Sequence, residues 1–145
     1  MVLNGIDRIR EFDSLLKGKK LGVITSLSGL SKDFIPSWKI LAERYTVRAL
    51  FAPEHGLYGC EDAGAVWESG KKSVSGIPLY SLYRQDGQDF KPAMLADIDA
   101  LVYDIQDAGV RFYTYISTMI LAMRAASAHG KAFIVLDRPN PLGGI

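Results

Sequence analysis

The chain has 145 residues, 48% of them hydrophobic and 23% charged, with a net charge of +1. That length predicts one domain with a real core, and the near-neutral balance argues against steering toward nucleic acid or acidic membranes. The single cysteine, Cys60, excludes an internal disulfide, and no apolar run approaches the roughly eighteen residues of a membrane span.

At the N-terminus there is no basic start followed by an apolar segment, so no export signal is expected within these residues and the chain reads as cytoplasmic. Ile6, Ile9, Phe12, Leu15 and Leu16 recur at helical spacing, with Gly18 placed to end the helix. Leu21 to Thr25 is a short apolar run of the kind a buried parallel strand requires. It opens into the small polar loop Ser26 to Asp33. Pro36 suits a helix start, and Trp38, Ile40, Leu41 and Tyr45 form an amphipathic face. Val47 to Phe51 reads as the second strand, ending in Ala52-Pro53-Glu54-His55-Gly56. From Leu57 to Gly76, with Gly59, Gly64, Gly70, Glu61, Asp62 and Glu68, no regular element is expected. Long segments of this kind are usually functional or mobile. Ile77 to Tyr83 is a third strand, with Pro78 holding its first residues at an edge or outside the ladder. A short helix over Pro92 to Ala96 leads into a fourth strand, Ala100 to Tyr103. Phe112 to Ala128 is the longest helix, with Ile116, Met119, Ile120 and Met123 as its apolar face. Ala132 to Leu136 is the fifth strand.

Strands alternating with helices predict an α/β fold, with a mostly parallel sheet of about five strands and helices on both faces. In such sheets ligands bind outside the carboxyl ends of the strands. Three polar clusters fall there: Glu54 and His55 after strand two; Asp104, Gln106 and Asp107 after strand four; Asp137 and Arg138 after strand five. Their convergence on one rim is the main argument for a site.

Within that rim, Glu54 between a stiff proline and a permissive glycine suits a general acid, or is a solvated loop glutamate. Asp104 and Asp107 suit a base or nucleophile with its partner, or hooks for sugar hydroxyls. The structural alternative has Asp107 serving the next helix and Arg111 pairing with either aspartate. Gln106 donates and accepts, which suits a polyol. Tyr113 and Tyr115 suit stacking on a sugar face, or partial burial. Asp137-Arg138-Pro139-Asn140-Pro141 either presents Arg138 and Asn140 rigidly or is a turn closed by its own Asp–Arg pair. There is no G-x-G-x-x-G, Walker A or G-x-S-x-G pattern. With His55 and His129 the only histidines, a zinc site is not expected, and no cofactor is called for.

Several of these stretches together resemble a known family. Gly22 to Thr25, Phe51 to Gly56, Ile77 to Tyr83, Asp104 to Tyr115 and Leu136 to Gly144 are similar, in the same order, to motifs of the NamZ-type exo-β-N-acetylmuramidases. The resemblance implies a glycoside hydrolase that removes N-acetylmuramic acid from the non-reducing end of peptidoglycan fragments in cell-wall recycling. It implies a Rossmann-like, three-layer N-terminal domain over residues 1–145 that carries the catalytic centre, with a C-terminal domain elsewhere shaping the cleft. By this resemblance Glu54 is the catalytic carboxylate, with Asp104, Asp107 and more weakly Glu61 as candidates for the second group, unless the substrate's own acetamido group assists. Arg111, Arg138 or His55 would hold the lactyl carboxylate of the sugar. Family members carry Asn-Gln-Thr-Gly where this chain has Ser26-Leu27-Ser28-Gly29. Two other readings stand beside this one. In the first, the chain is a non-catalytic sugar-binding or assembly module whose uncovered apolar surface drives homo-oligomerisation. In the second, it binds a nucleotide or sugar phosphate on the Ser26–Ser31 loop.

Overall fold

A computed structural model describes residues 2–62, 65, 72–83 and 90–143. A 3-10 helix over Gly5–Phe12 runs into the single turn α1 (Asp13–Leu16), followed by β1 (Lys20–Thr25), α2 (Ser37–Arg44) and β2 (Thr46–Ala52). Then come β3 (Lys72–Val74), β4 (Ile77–Ser81), α3 (Pro92–Leu95), β5 (Ala100–Asp104), α4 (Tyr115–Ala128) and β6 (Ala132–Val135). The sheet order is β3-β4-β2-β1-β5-β6, parallel except where β3 turns back on β4.

Strand period sorts the core into two layers. Leu21 and Val23 of β1, Leu50 and Ala52 of β2, and Ala100 and Val102 of β5 pack with Ile6, Ile9, Leu16, Trp38 and Leu41 on one face. Ile24, Ala49, Phe51, Leu101 and Tyr103 pack with Met94, Leu95, Ala122 and Ala126 on the other. The expected Rossmann-like three-layer α/β fold is therefore present, with six strands among the described residues where about five were expected. The extra strand, β3, lies in the stretch without readable periodicity, because three residues show no alternation. Gly64, Gly70 and Glu68 lie outside the described residues. Pro78 opposes Ser73 of β3, and the ladder to β2 begins one residue later, at Leu79.

Helix α4 departs from expectation twice. It starts at Tyr115, leaving Arg111 to Thr114 as a turn. Its buried face is Thr118, Ala122 and Ala126; of the expected apolar face Met119 packs, partly buried, on the core, while Ile116, Ile120 and Met123 stand 43–49% exposed. Small residues let the helix axis approach β5 and β6 closely, which turns the bulky stripe outward.

Beneath the rim, the start of the β1 loop is tightly packed. A Cβ on Gly29 would lie 2.0 Å from Thr25 Oγ1 and 2.8 Å from the Asp104 carbonyl oxygen. Gly29→Ala is expected to lower unfolding free energy by about 1–3 kcal/mol, the usual cost of overpacking. Urea denaturation checks this, and an unchanged midpoint would refute it.

Candidate active site

The three loops after β1, β5 and β6 are wired to one another. Ser26 Oγ lies 2.9 Å from Ser28 Oγ, and the Gln106 backbone N–H donates to Ser28 Oγ at 3.1 Å. Gln106 Nε2 donates to the Asp107 and Pro139 carbonyl oxygens, both at 2.9 Å. The side-chain amide of Gln106 thus ties the β5 loop to the β6 loop. Its side-chain N–H groups are used within the protein, which leaves the carbonyl end of the amide for the hollows that Gln106 lines.

Asp104 also departs from expectation. Fully buried, it receives Arg138 Nε at 2.6 Å and Nη2 at 2.9 Å, and Arg138 Nη2 also donates to the Leu30 carbonyl at 2.9 Å. The Arg138 side chain is 6% exposed. Two charges so enclosed survive only as a well-formed pair. The Asp–Arg pair expected to close the 137–141 turn therefore forms between Asp104 and Arg138, across two strands. Asp137 is exposed, and its carbonyl accepts the Gly5 N–H at 2.8 Å. This pair holds the floor of the rim; the Asp104 carboxylate is enclosed, while Arg138 reaches the wall of a hollow beside Asp137 and Asn140.

Above the floor the accessible groups gather. Glu54, half-buried at the end of β2, accepts a hydrogen bond from the Thr114 hydroxyl on Oε2 at 3.0 Å. Thr114 is a residue sequence reading missed; the two are sixty positions apart, and nothing local links them. His55 follows with φ +69° and Gly56 with φ +76°. Two successive left-handed residues swing the chain sharply, and for His55 that conformation costs on the order of 1 kcal/mol or more. Its Nδ1 lies 3.2 Å from the Glu61 carbonyl, and the Glu61 N–H donates back to the His55 carbonyl at 3.2 Å. Glu61 itself pairs with Lys72 at 3.1 Å. Asp107 Oδ1 accepts the Gly109 N–H at 2.7 Å, a local turn in place of the expected helix cap. Arg111 is exposed and pairs with no carboxylate among the described residues, so the expected pairing with Asp104 or Asp107 does not form. Asn140 Oδ1 accepts the Leu142 N–H at 2.9 Å, which holds the β6 loop in its turn.

The aromatic residues form a wall. Tyr113 and Tyr115 meet edge to face at 5.8 Å, and Phe112, 83% exposed, lies 6.4 Å from Tyr113. The Tyr103 hydroxyl donates to the Tyr115 carbonyl at 3.0 Å. Burial, with a smaller push from the Asp107 carboxylate, raises the Tyr103 phenol well above its ordinary value. Tyr115 is raised by burial first and then by Tyr113 and Glu54, against the Ser26 hydroxyl, which lowers it. Both phenols stay protonated across the physiological range.

Three hollows open along this rim. One of about 460 Å³ is lined by Ser26, Ser28, His55, Gln106, Asp107 and Tyr113 among others. A smaller one of about 220 Å³ is lined by Glu54, His55 and Phe112 to Tyr115, sharing His55, Tyr113 and Tyr115 with the first. A third, about 420 Å³, shares Gln106 and Asp107 and extends past Arg111 to Asp137 and Asn140. The structure thus places Glu54 in the smaller hollow and Asp107 in the adjoining larger one, joined by His55, Tyr113 and Tyr115, with Arg111 and Asn140 further along the same rim. Asp104 lines none of the three. Among the described residues no group of three or more His, Cys, Asp or Glu is placed to hold a metal ion, and no helix is long and apolar enough to cross a membrane.

Comparison with known proteins gives this arrangement a context. The chain is 45% identical over 146 residues to the peptidoglycan beta-N-acetylmuramidase NamZ of Bacillus subtilis (strain 168), covering 99% of this chain and 35% of that protein. A crystal structure of a DUF1343 family protein from Bacteroides fragilis NCTC 9343 superimposes with a TM-score of 0.84 at 46% identity, covering 99% of this chain and 36% of that one. A second such protein from the same organism gives 0.77 at 31% identity, covering 96% and 35%. The chain therefore spans about a third of the length of the relatives it matches. A family model for the N-terminal part of exo-beta-N-acetylmuramidase NamZ matches residues 21–145. With that match across most of its length, and the expected motifs gathered on one sheet rim, the chain belongs to the NamZ family, corresponding to its N-terminal region.

Proposed function

We propose that residues 1–145 form the N-terminal catalytic domain of an exo-acting glycosidase that releases N-acetylmuramic acid from the non-reducing end of peptidoglycan fragments. The observation that carries this reading is Glu54. It stands at the carboxyl end of β2, half-buried, oriented by Thr114 and facing a hollow walled by Phe112, Tyr113 and Tyr115. Kinship with a protein named for this activity supports the substrate class.

In this mechanism Glu54 gives its proton to the glycosidic oxygen as the bond from that oxygen to the sugar's ring carbon breaks, and the oxygen of a water molecule takes its place on that carbon. Positive charge that builds on the ring carbon needs a second group. Asp107 is the carboxylate that lines the adjoining hollow, and the substrate's acetamido oxygen is the other candidate. Asp104 is assigned to positioning, because its carboxylate is spent on Arg138. The exposed guanidinium of Arg111 is the natural partner for the lactyl carboxylate, since that of Arg138 is already held by Asp104. Tyr113 offers a face for the sugar ring, and His55, Asp137 and Asn140 lie at the rim to contact polar substituents.

The test is hydrolysis of a chromogenic β-N-acetylmuramide by the folded chain. Free muramic-type sugar is the expected product. A folded chain and a full-length relative that both leave the substrate intact would overturn the reading. Thr114→Val is expected to lower kcat about tenfold or more with little change in KM, since the hydrogen bond that orients the Glu54 carboxyl is lost. Thr114→Ser retains the donor and should keep most of the rate. Equal losses in both variants would show that the hydroxyl does not orient Glu54.

A further inference from the structure

In an N-acetylated sugar the carbon that bears the acetamido group is the neighbour of the ring carbon at which the glycosidic bond breaks. A group that grips the amide therefore stands where the hollow of the proton donor meets the next one. His55, Tyr113 and Tyr115 line both the hollow of Glu54 and the larger one beside it. His55 has its Nδ1 at the Glu61 carbonyl, 3.2 Å away, and Tyr113 is exposed. Tyr115 is half-buried and held in place: its carbonyl accepts the Tyr103 hydroxyl at 3.0 Å, and its ring meets Tyr113 edge to face. Burial keeps its phenol protonated. The Ser26 hydroxyl acts to lower it, as a donor to the phenolic oxygen does, so the phenol proton is left for the hollow.

Asp107, also half-buried, lines the same larger hollow with a carboxylate that is equally fixed. Its Oδ1 accepts the Gly109 N–H at 2.7 Å, and its carbonyl accepts Gln106 Nε2 at 2.9 Å. Gly109 has φ +73°, and a Cβ there would lie 2.2 Å from Asn140 Oδ1, so the turn that holds Asp107 is packed against the β6 loop. Among the described residues no hydrogen bond or ion pair occupies Oδ2. The phenol of Tyr115 senses the Asp107 charge, yet no hydrogen bond joins the two side chains among the described residues. An occupant of this hollow must therefore bridge a fixed donor and a fixed acceptor that come from different elements. A secondary amide has its N–H and its C=O on separate atoms and spans farther than a single hydroxyl oxygen. A carboxylate in the same place would face Asp107 as a like charge.

We infer that Tyr115 and Asp107 together bind the acetamido group of the sugar, the phenol O–H donating to its carbonyl oxygen and Asp107 Oδ2 accepting its N–H. The inference deepens the glycosidase reading and rests on it for the kind of ligand. It makes this pair the part of the site that selects N-acetylated sugars, beside Arg111 for the lactyl carboxylate. It also fixes the amide next to the carbon on which Glu54 acts.

The test is a binding titration followed by NMR, with N-acetylmuramic acid and with its analogue that bears a hydroxyl in place of the acetamido group. Neither sugar has a glycosidic bond to break, so the readout does not depend on turnover. The chain should prefer the N-acetylated sugar by on the order of thirtyfold, the worth of one neutral and one charge-assisted hydrogen bond. Tyr115→Phe removes only the hydroxyl and should cut that preference by about threefold to tenfold. Asp107→Asn keeps an oxygen for the Gly109 N–H and should cut it by about tenfold or more. A general loosening of the site would weaken both sugars alike and leave the ratio unchanged. Equal affinity for the two sugars in the unaltered chain, or variants that keep its full preference, would overturn the inference. If the chain holds neither sugar, the same comparison is made in a full-length relative that carries both residues, and a missing preference there overturns it equally. The two readings fail separately. A chain that shows the preference but leaves a chromogenic muramide intact counts against catalysis alone. A chain that hydrolyses the muramide while both variants keep the preference counts against the acetamido assignment alone.

Discussion

Glu54→Gln is expected to lower hydrolysis of a chromogenic β-N-acetylmuramide by about a thousandfold, within the range for removal of a general acid or base. The substitution keeps the shape of the side chain and leaves an oxygen to accept the Thr114 hydroxyl, which now bonds Oε2 at 3.0 Å. The fold and the aromatic wall should be unaltered, so the loss reports the missing proton transfer. The decisive comparison is kcat beside a denaturation midpoint. A variant that keeps more than a tenth of the rate would remove Glu54 from the reaction. The variant should still bind the sugar, because Arg111, Tyr113 and the rim of His55 and Asp107 are untouched.

Asp104→Ala should lose about 3–5 kcal/mol of unfolding free energy, the cost of leaving one member of a buried ion pair alone. For a domain of this size that is a fall in Tm of roughly 10–15 °C. Arg138 would be left with its guanidinium 6% exposed and only the Leu30 carbonyl as a partner. The double variant Asp104→Leu with Arg138→Met should recover much of the loss, because it removes both charges and fills the space. Thermal unfolding with a double-mutant cycle measures this. A single variant that costs less than about 1 kcal/mol would show that the pair does not hold the floor of the rim. The outcome also separates positioning from chemistry: folded double variant that still hydrolyses substrate places Asp104 outside the reaction.

Much of the fold was legible because local pattern and global topology agree. Leu21 to Thr25 and Ala100 to Tyr103 are short apolar runs, which only strands covered on both faces require. Strand β3 escaped because a three-residue strand is defined by its partner, not by its own pattern. The orientation of α4 escaped for a different reason. Hydrophobicity nominates Ile116, Ile120 and Met123 for burial, whereas close packing on the sheet selects Thr118, Ala122 and Ala126. Size, not polarity, chose the buried face.

At the site the division is similar. The sequence alone determined which loops carry polar groups, because strand ends in a parallel sheet must open on one rim, and it determined the family through long motifs shared in order. Only the tertiary structure decided what each group does there. Asp104 and Asp107 are near neighbours with the same carboxyl chemistry, yet one is buried against Arg138 and the other lines the opening. Glu54 meets Thr114 across sixty positions, and Gln106 meets Pro139 across thirty-three. The physical reason is that the reactivity and availability of a polar side chain depend on its burial and its partners, and contacts between distant strands are made only when the chain has folded.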